Sequence, residues 1–211
     1  MIDLHNHTVF SDGVLIPSEL ARRAEHGGLT AIGITDHGDL SNIDFIVPRI
    51  VAVADQLNKV MSVRVIPGIE ITHVPPVLIA EMVVRARSLG ARLVLVHGET
   101  ISEPVAPGTN RAALEADIDV LAHPGLISEE DVVFAGRRGI FLEISSRKGH
   151  SLTNGHLAGL ARRCGTQLVI NTDSHEPADL ISTEKAIRIV QGAGLEPEDF
   201  KRMQTNASRF L

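Results

Sequence analysis

The chain has 211 residues, with 20 Lys and Arg against 26 Asp and Glu, and a formal net charge of −6. That balance, with no basic run, argues against nucleic acid as a partner, because phosphate backbones require clustered Lys and Arg. No apolar run reaches the length of a membrane span, and a lone cysteine, Cys164, excludes an internal disulfide and fits a reducing cytosol.

The length fits one domain, residues 1–211, with a large core. Without Trp or Tyr and with only six Phe, that core must be aliphatic. Cys164, beside Gly165, reads as a buried thiol. The first strand starts at Met1 or Ile2 and already carries candidate ligands, so no leader and a cytoplasmic location are expected.

Strands and helices alternate along the chain. Ile2 to His5 reads as a short strand, and Pro17 to His26 as a helix closed by Gly27-Gly28. Ala31 to Thr35 is a second strand, followed by a helix over roughly Asn42 to Lys59. Val63 to Ile71 is a third strand, and Pro76 to Gly90 is helical. Arg92 to Val96 is a fourth strand, leading into a loop rich in Pro, Gly and Thr from Glu99 to Asn110. Asn110 can cap a short helix through Asp117. Ile118 to Ala122 is a fifth strand, and Ser128 caps a helix over Glu129 to Arg137. Ile140 to Ile144 is a sixth strand, followed by a polar loop from Ser145 to His150 and a helix over Asn154 to Arg163. Gln167 to Asn171 is a seventh strand, and helices Thr183 to Gln191 and Pro197 to Met203 finish the chain. Aliphatic strands alternating with helices imply a parallel sheet covered by helices. Seven such units suggest a closed or nearly closed (β/α) barrel, with an open doubly wound sheet as the alternative. In a barrel the site lies at the C-terminal ends of the strands.

Those ends carry the chemistry. Strand one gives His5 and His7, with Asp12 just beyond. His37 follows strand two, Glu70 lies in strand three, and His97 and His123 follow strands four and five. Asp173 and His175 follow strand seven. With 10 His in the chain, one H-x-H pair carries little weight. Five strands ending in histidine, with carboxylates beside them, carry far more, since ionisable groups are rarely buried together without a partner. A single zinc takes about four ligands, so nine such side chains suit several ions. With imidazole and carboxylate donors and no thiolate nearby, the ions should be zinc, manganese or iron.

These residues resemble the PHP (polymerase and histidinol phosphatase) family. The pattern stands here as His5 and His7, Ser11-Asp12-Gly13, Thr35-Asp36-His37, Gly68-Ile69-Glu70, His97, His123-Pro124 and Asp173-Ser174-His175. The resemblance implies a distorted seven-stranded (β/α)7 TIM-like barrel with a trinuclear site holding two to three divalent ions. It places His5, His7, Glu70 and Asp173 on the first metal, and Glu70, His97 and His123 on the second. Asp12, His37 and His175 would hold the third.

The implied chemistry is hydrolysis of a small phosphorylated substrate by a metal-bridging hydroxide, with catalytic roles for Glu70, Asp173 and the acid candidate His150. Histidinol phosphate, a nucleotide monophosphate and a sugar phosphate are compatible monoesters. Arg147 could grip phosphate in bidentate fashion and Lys148 as a point charge, with Arg111 a weaker candidate. The alternative for the Arg147–Lys148 loop is a solvated surface. His73 either lines the mouth or faces solvent; His26 and His156, in helices, read as surface residues. Rival functions are a phosphodiesterase or exonuclease, an amidohydrolase-like C–N hydrolase, and a non-catalytic PHP binding subunit.

Overall fold

The computed structural model describes every residue, Met1–Leu211. Its strands are β1 (Ile2–Asp3), β2 (Ala31–Ile34), β3 (His37–Gly38), β4 (Arg64–Ile71), β5 (Leu93–His97), β6 (Val120–Ala122), β7 (Phe141–Ser145) and β8 (Leu168–Asn171). Between and after them run α1 (Pro17–His26), α2 (Ile43–Leu57), α3 (Ile79–Ser88), α4 (Thr109–Glu115), α5 (Glu129–Arg138), α6 (Asn154–Cys164), α7 (Thr183–Gly192) and α8 (Pro197–Ala207). Pro17 opens α1, and the side chains of Ser128 and Ser182 accept the Asp131 and Lys185 amides to cap α5 and α7.

All strand pairs are parallel, in the order β1-β2-β4-β5-β6-β7-β8, with β3 beside β4. The two-residue β3 was not foreseen; it forms because His37 and Gly38 come into register with Glu70 and Ile71. The first and last strands share one bridge, Asn6 with Ser174. Side chains do the rest: Asn171 accepts the Leu4 amide at 2.8 Å, and Asp3 accepts the Thr172 amide at 3.1 Å. The result is a nearly closed TIM-like barrel.

Alternation along the strands makes two cores. Ile2, Leu4, Ala31, Ile66, Leu93, Leu95, Val120, Phe141 and Val169 pack together inside the barrel. A larger cluster of 48 buried residues, including Ile32, Ile34, Val65, Val94, Leu121 and Leu142, joins the outer face to the helices. Following the inner line toward the C-terminal ends, Ile66 gives way to Glu70, Leu95 to His97 and Phe141 to Glu143. Cys164 ends α6 half-buried rather than buried. No helix is long and apolar enough to cross a membrane.

Candidate metal centre

Glu70 and Asp173 stand at the middle of the mouth. His5 Nε2 lies 3.4 Å from Glu70 Oε1 and 3.5 Å from Asp173 Oδ1. His7 Nε2 lies 3.1 Å from Asp173 Oδ1, and His123 Nε2 lies 3.6 Å from Glu70 Oε1. His37 Nδ1 lies 2.7 Å from Glu70 Oε2. Asp12 Oδ1 faces His175 Nε2 at 3.1 Å and His37 Nε2 at 3.5 Å. His97 points its Nε2 to Glu103, at 3.1 Å, and its Nδ1 donates to the Gly98 carbonyl. All nine expected ligand side chains are therefore gathered at one mouth.

Six of their buried atoms have no hydrogen-bond partner in the protein: His5 Nε2, both nitrogens of His7, Glu70 Oε1, His123 Nδ1 and Asp173 Oδ1. Stranded buried polar atoms are costly and rare in native proteins. Imidazole and carboxylate donors converging at these spacings fit divalent cations, which would satisfy them. Donor atoms group within 4.8 Å in the sets His7–Asp12–His37–His175, His97–His123–His150, His5–His123–Asp173 and His5–His7–Glu70.

The charges are strongly coupled. Burial, with His37 and His5 nearby, pushes His7 well below the usual imidazole range, and burial with His97 does the same to His123. Neutral imidazole is the ligating form. Burial opposes charge on His5, but the carboxylates of Glu143, Glu70 and Asp173 outweigh it and raise its pKa. Burial lifts Asp173 to about 7, with Glu70 and Glu143 adding like charge. Glu70 is held low despite burial, by His5 and His37.

A second layer of carboxylates, given no role in the reading of the sequence, fixes these ligands. Glu143 Oε2 takes His5 Nδ1 at 2.8 Å and the Asn171 amide group at 3.0 Å, and it is fully buried. Such a carboxylate sets ring orientation and basicity at a metal site. Asp36 accepts four hydrogen bonds, from the amide and hydroxyl of Thr8 and of Ser11. The loop so tied carries Asp12. Gly13 ends it against His7: a Cβ there would sit 2.5 Å from the His7 carbonyl oxygen. Asp3 binds Thr172, next to Asp173. One signal was available, since Glu143 interrupts the apolar run Phe141-Leu142-Glu143-Ile144.

The mouth opens into a cavity of about 380 Å³ lined by 14 residues, none hydrophobic. Arg147 lines it, 30% exposed, its Nη1 donating to the Asp173 carbonyl at 3.1 Å. His150 lines it too, with Nδ1 2.8 Å from Thr100 Oγ1; burial and His97 hold its pKa down to about 4. His73 is on the rim rather than loose in solvent. Lys148 is exposed and does not line the cavity. The structure does not bring Arg111 to the mouth: it pairs with Glu115 and Asp131 and lies over the Phe134 ring. His26 and His156 are exposed on helices, as expected.

A family model described as PHP domain matches residues 3–122. The chain belongs to the PHP domain family. It is 46% identical over 201 residues to an uncharacterized protein, MJ1295, of Methanocaldococcus jannaschii, covering 94% of this chain and 92% of that protein. It is 25% identical over 224 residues to the protein named Probable phosphatase Teth514_1060 of Thermoanaerobacter sp. (strain X514), covering 92% and 87%. Among solved structures, a chain of archaeal Ribonuclease P with mature tRNA superposes with TM-score 0.75 at 18% identity, covering 100% of this chain and 89% of that one. Histidinol phosphate phosphatase of Lactococcus lactis, complexed with zinc, L-histidinol and phosphate, superposes with TM-score 0.64 at 17% identity, covering 92% and 94%. At these identities the structural likenesses show the shared fold.

Proposed function

We propose that this chain, a metal-dependent hydrolase, cleaves small phosphomonoesters at a centre of two to three divalent ions. His5, His7, Glu70 and Asp173 would hold one ion; Glu70, His97 and His123 a second; Asp12, His37 and His175 a third. The observation that carries the reading is the set of six buried donor atoms left without partners around Glu70 and Asp173. Bound zinc, manganese or iron would supply an acidified water and positive charge for phosphate oxygens.

The protein's own groups do the rest. Arg147 is the one guanidinium lining the cavity and would take phosphate oxygens in bidentate fashion. Its Nη1 contact to the Asp173 backbone fixes it beside the centre. Asp173, with Oδ1 3.1 Å from His7 Nε2 and 3.5 Å from His5 Nε2, would act there as an ionised carboxylate ligand. His150 is held neutral at pH 7, so we give it the role of a hydrogen-bond donor from Nε2 to the leaving oxygen. That tautomer follows if Nδ1 accepts the Thr100 hydroxyl. The cavity's small volume and single guanidinium favour a compact monoester over a polynucleotide.

The test combines metal counting with turnover of a phosphomonoester panel, a phosphodiester and a short RNA. Two to three ions per chain and monoester turnover, both lost in Glu70→Ala, support the proposal. Full metal loading with diester or RNA turnover alone moves the assignment to a phosphodiesterase or nuclease. A chain that binds no ion overturns the centre.

A further inference from the structure

Three non-glycine residues have backbone in the left-handed region: His73 (φ 52°), His123 (φ 27°) and Asp173 (φ 53°). Such strain, on the order of 1–3 kcal/mol each, persists where the surroundings impose it, and it clusters at functional sites. His123 and Asp173 belong to the nine expected ligands. His73 does not, yet it faces the same mouth. Its Nε2 lies 3.3 Å from Glu103 Oε2, and its ring centroid lies 5.1 Å from that of His97.

Glu103 comes from the loop after β5 and matches none of the motifs in the sequence. Its Oε2 lies 3.1 Å from His97 Nε2, and its Oε1 lies 3.6 Å from His150 Nε2. His97 Nδ1 is committed to the Gly98 carbonyl, so Nε2 is its ligating atom. Glu103 therefore presents a carboxylate at the spot toward which His97 would bind metal. One ring nitrogen each of His73 and His97 and a Glu103 oxygen lie within 4.8 Å of one another.

We infer that Glu103 is a further ligand of the ion held by His97 and His123, and that His73 positions it. The ion then draws on a carboxylate from a loop as well as on strand ends. The left-handed turn at His73, just past β4, brings its ring to the carboxylate. Hydrogen-bonded carboxylates are the usual state of ligating Asp and Glu, and His73 supplies that bond. Opposite, Thr100 and His150 meet at 2.8 Å and tie the same loop to the mouth. The inference rests on the metal centre proposed above, but not on which ester is cleaved.

The experiment uses the intact chain and Glu103→Gln, which keeps shape and removes charge. Both are loaded with Co²⁺, then dialysed against graded chelator. Bound metal is counted, and the visible absorption of Co²⁺ is recorded as a report of coordination. Glu103→Gln should release one ion at roughly 10- to 100-fold lower chelator activity, with a changed Co²⁺ spectrum and unchanged circular dichroism. His73→Asn, which relieves the backbone strain, should shift release of the same ion in the same direction, by less. Identical retention and spectra in wild type and Glu103→Gln overturn the inference and leave the centre standing. A wild-type chain that takes up no Co²⁺ overturns the centre itself, whatever Glu103 does.

Discussion

Asp36→Ala tests whether the loop that carries Asp12 is held by a single carboxylate. Asp36 is fully buried, with Oδ1 2.7 Å from the Thr8 amide and 2.7 Å from Ser11 Oγ, and Oδ2 2.8 Å from Thr8 Oγ1. Removing it strands the buried Thr8 amide, at about 1–3 kcal/mol. The Thr8 hydroxyl adds roughly 0.5–1.5 kcal/mol. Ser11 adds less, because its amide also reaches the Thr8 carbonyl at 3.1 Å and its hydroxyl can turn to water. Against this, the variant no longer buries a carboxylate whose pKa burial has raised. The balance is a loss of about 2–3 kcal/mol. For a chain of this length that is a fall in Tm of roughly 4–12 °C. Urea unfolding of the chelator-stripped protein measures it without interference from bound ions. Asp36→Asn, which keeps one acceptor, should lose less. A change under about 0.5 kcal/mol in Asp36→Ala, the size of an ordinary surface substitution, would refute the reasoning.

Other substitutions probe the remaining layers. Arg147→Ala should raise KM for a phosphomonoester about 10- to 100-fold, the loss of one charge-assisted contact, with a smaller effect on kcat; an unchanged KM removes Arg147 from the substrate site. Glu143→Gln should weaken metal retention by roughly 10- to 100-fold in a chelator titration while the fold survives, because His5 loses its anionic partner; unaltered retention would show that the carboxylate does not tune His5. Burial lifts Asp3 from 3.8 to about 6, so its favourable contribution is present below the unfolded value and is lost as pH rises through about 6. Asp3→Asn should therefore raise the unfolding free energy of the stripped protein, read from urea titrations, more at pH ~7.5 than at pH ~4.5, by up to about 2 kcal/mol; an equal effect at both would contradict the assignment. Gly98→Ala would place a Cβ 2.4 Å from the Ala122 carbonyl oxygen, between His97 and His123, and should cost about 2 kcal/mol or more by thermal unfolding.

The barrel was legible because its strands are aliphatic on both faces and its helices carry Pro starts, Ser caps and Gly stops. The ligands were legible because strand ends converge in such a barrel, so nine side chains scattered from His5 to His175 could be placed at one mouth. What escaped was set by side chains meeting across the fold. The pairing of His37-Gly38 with Glu70-Ile71 depends on register between two segments. Arg111 follows the Pro-Gly loop and so seemed near the mouth; α4 instead turns it outward onto Glu115, Asp131 and Phe134. Arg147 and Lys148 were adjacent and equally plausible, but only Arg147 lines the cavity.

The buried carboxylates show why the motifs have their particular spellings. Ser11 of Ser-Asp-Gly and Asp36 of Thr-Asp-His are one bonded pair, so the two motifs are a single device built from separate loops. Asp3 ties Thr172 beside Asp173, and Glu143 ties His5, so each supporting acid fixes a neighbour of the centre. The four donors on Asp36 and the paired bonds of Asp3 and Glu143 Oε2 offset the burial of these groups. Most stranded atoms lie one layer further in, on His5, His7, Glu70, His123 and Asp173. Among the supporting acids only Glu143 Oε1 is left without a partner, so the fold has the means to satisfy the inner groups as well. That those remain open, on side chains gathered around Glu70 and Asp173, is the strongest physical argument that cations complete them.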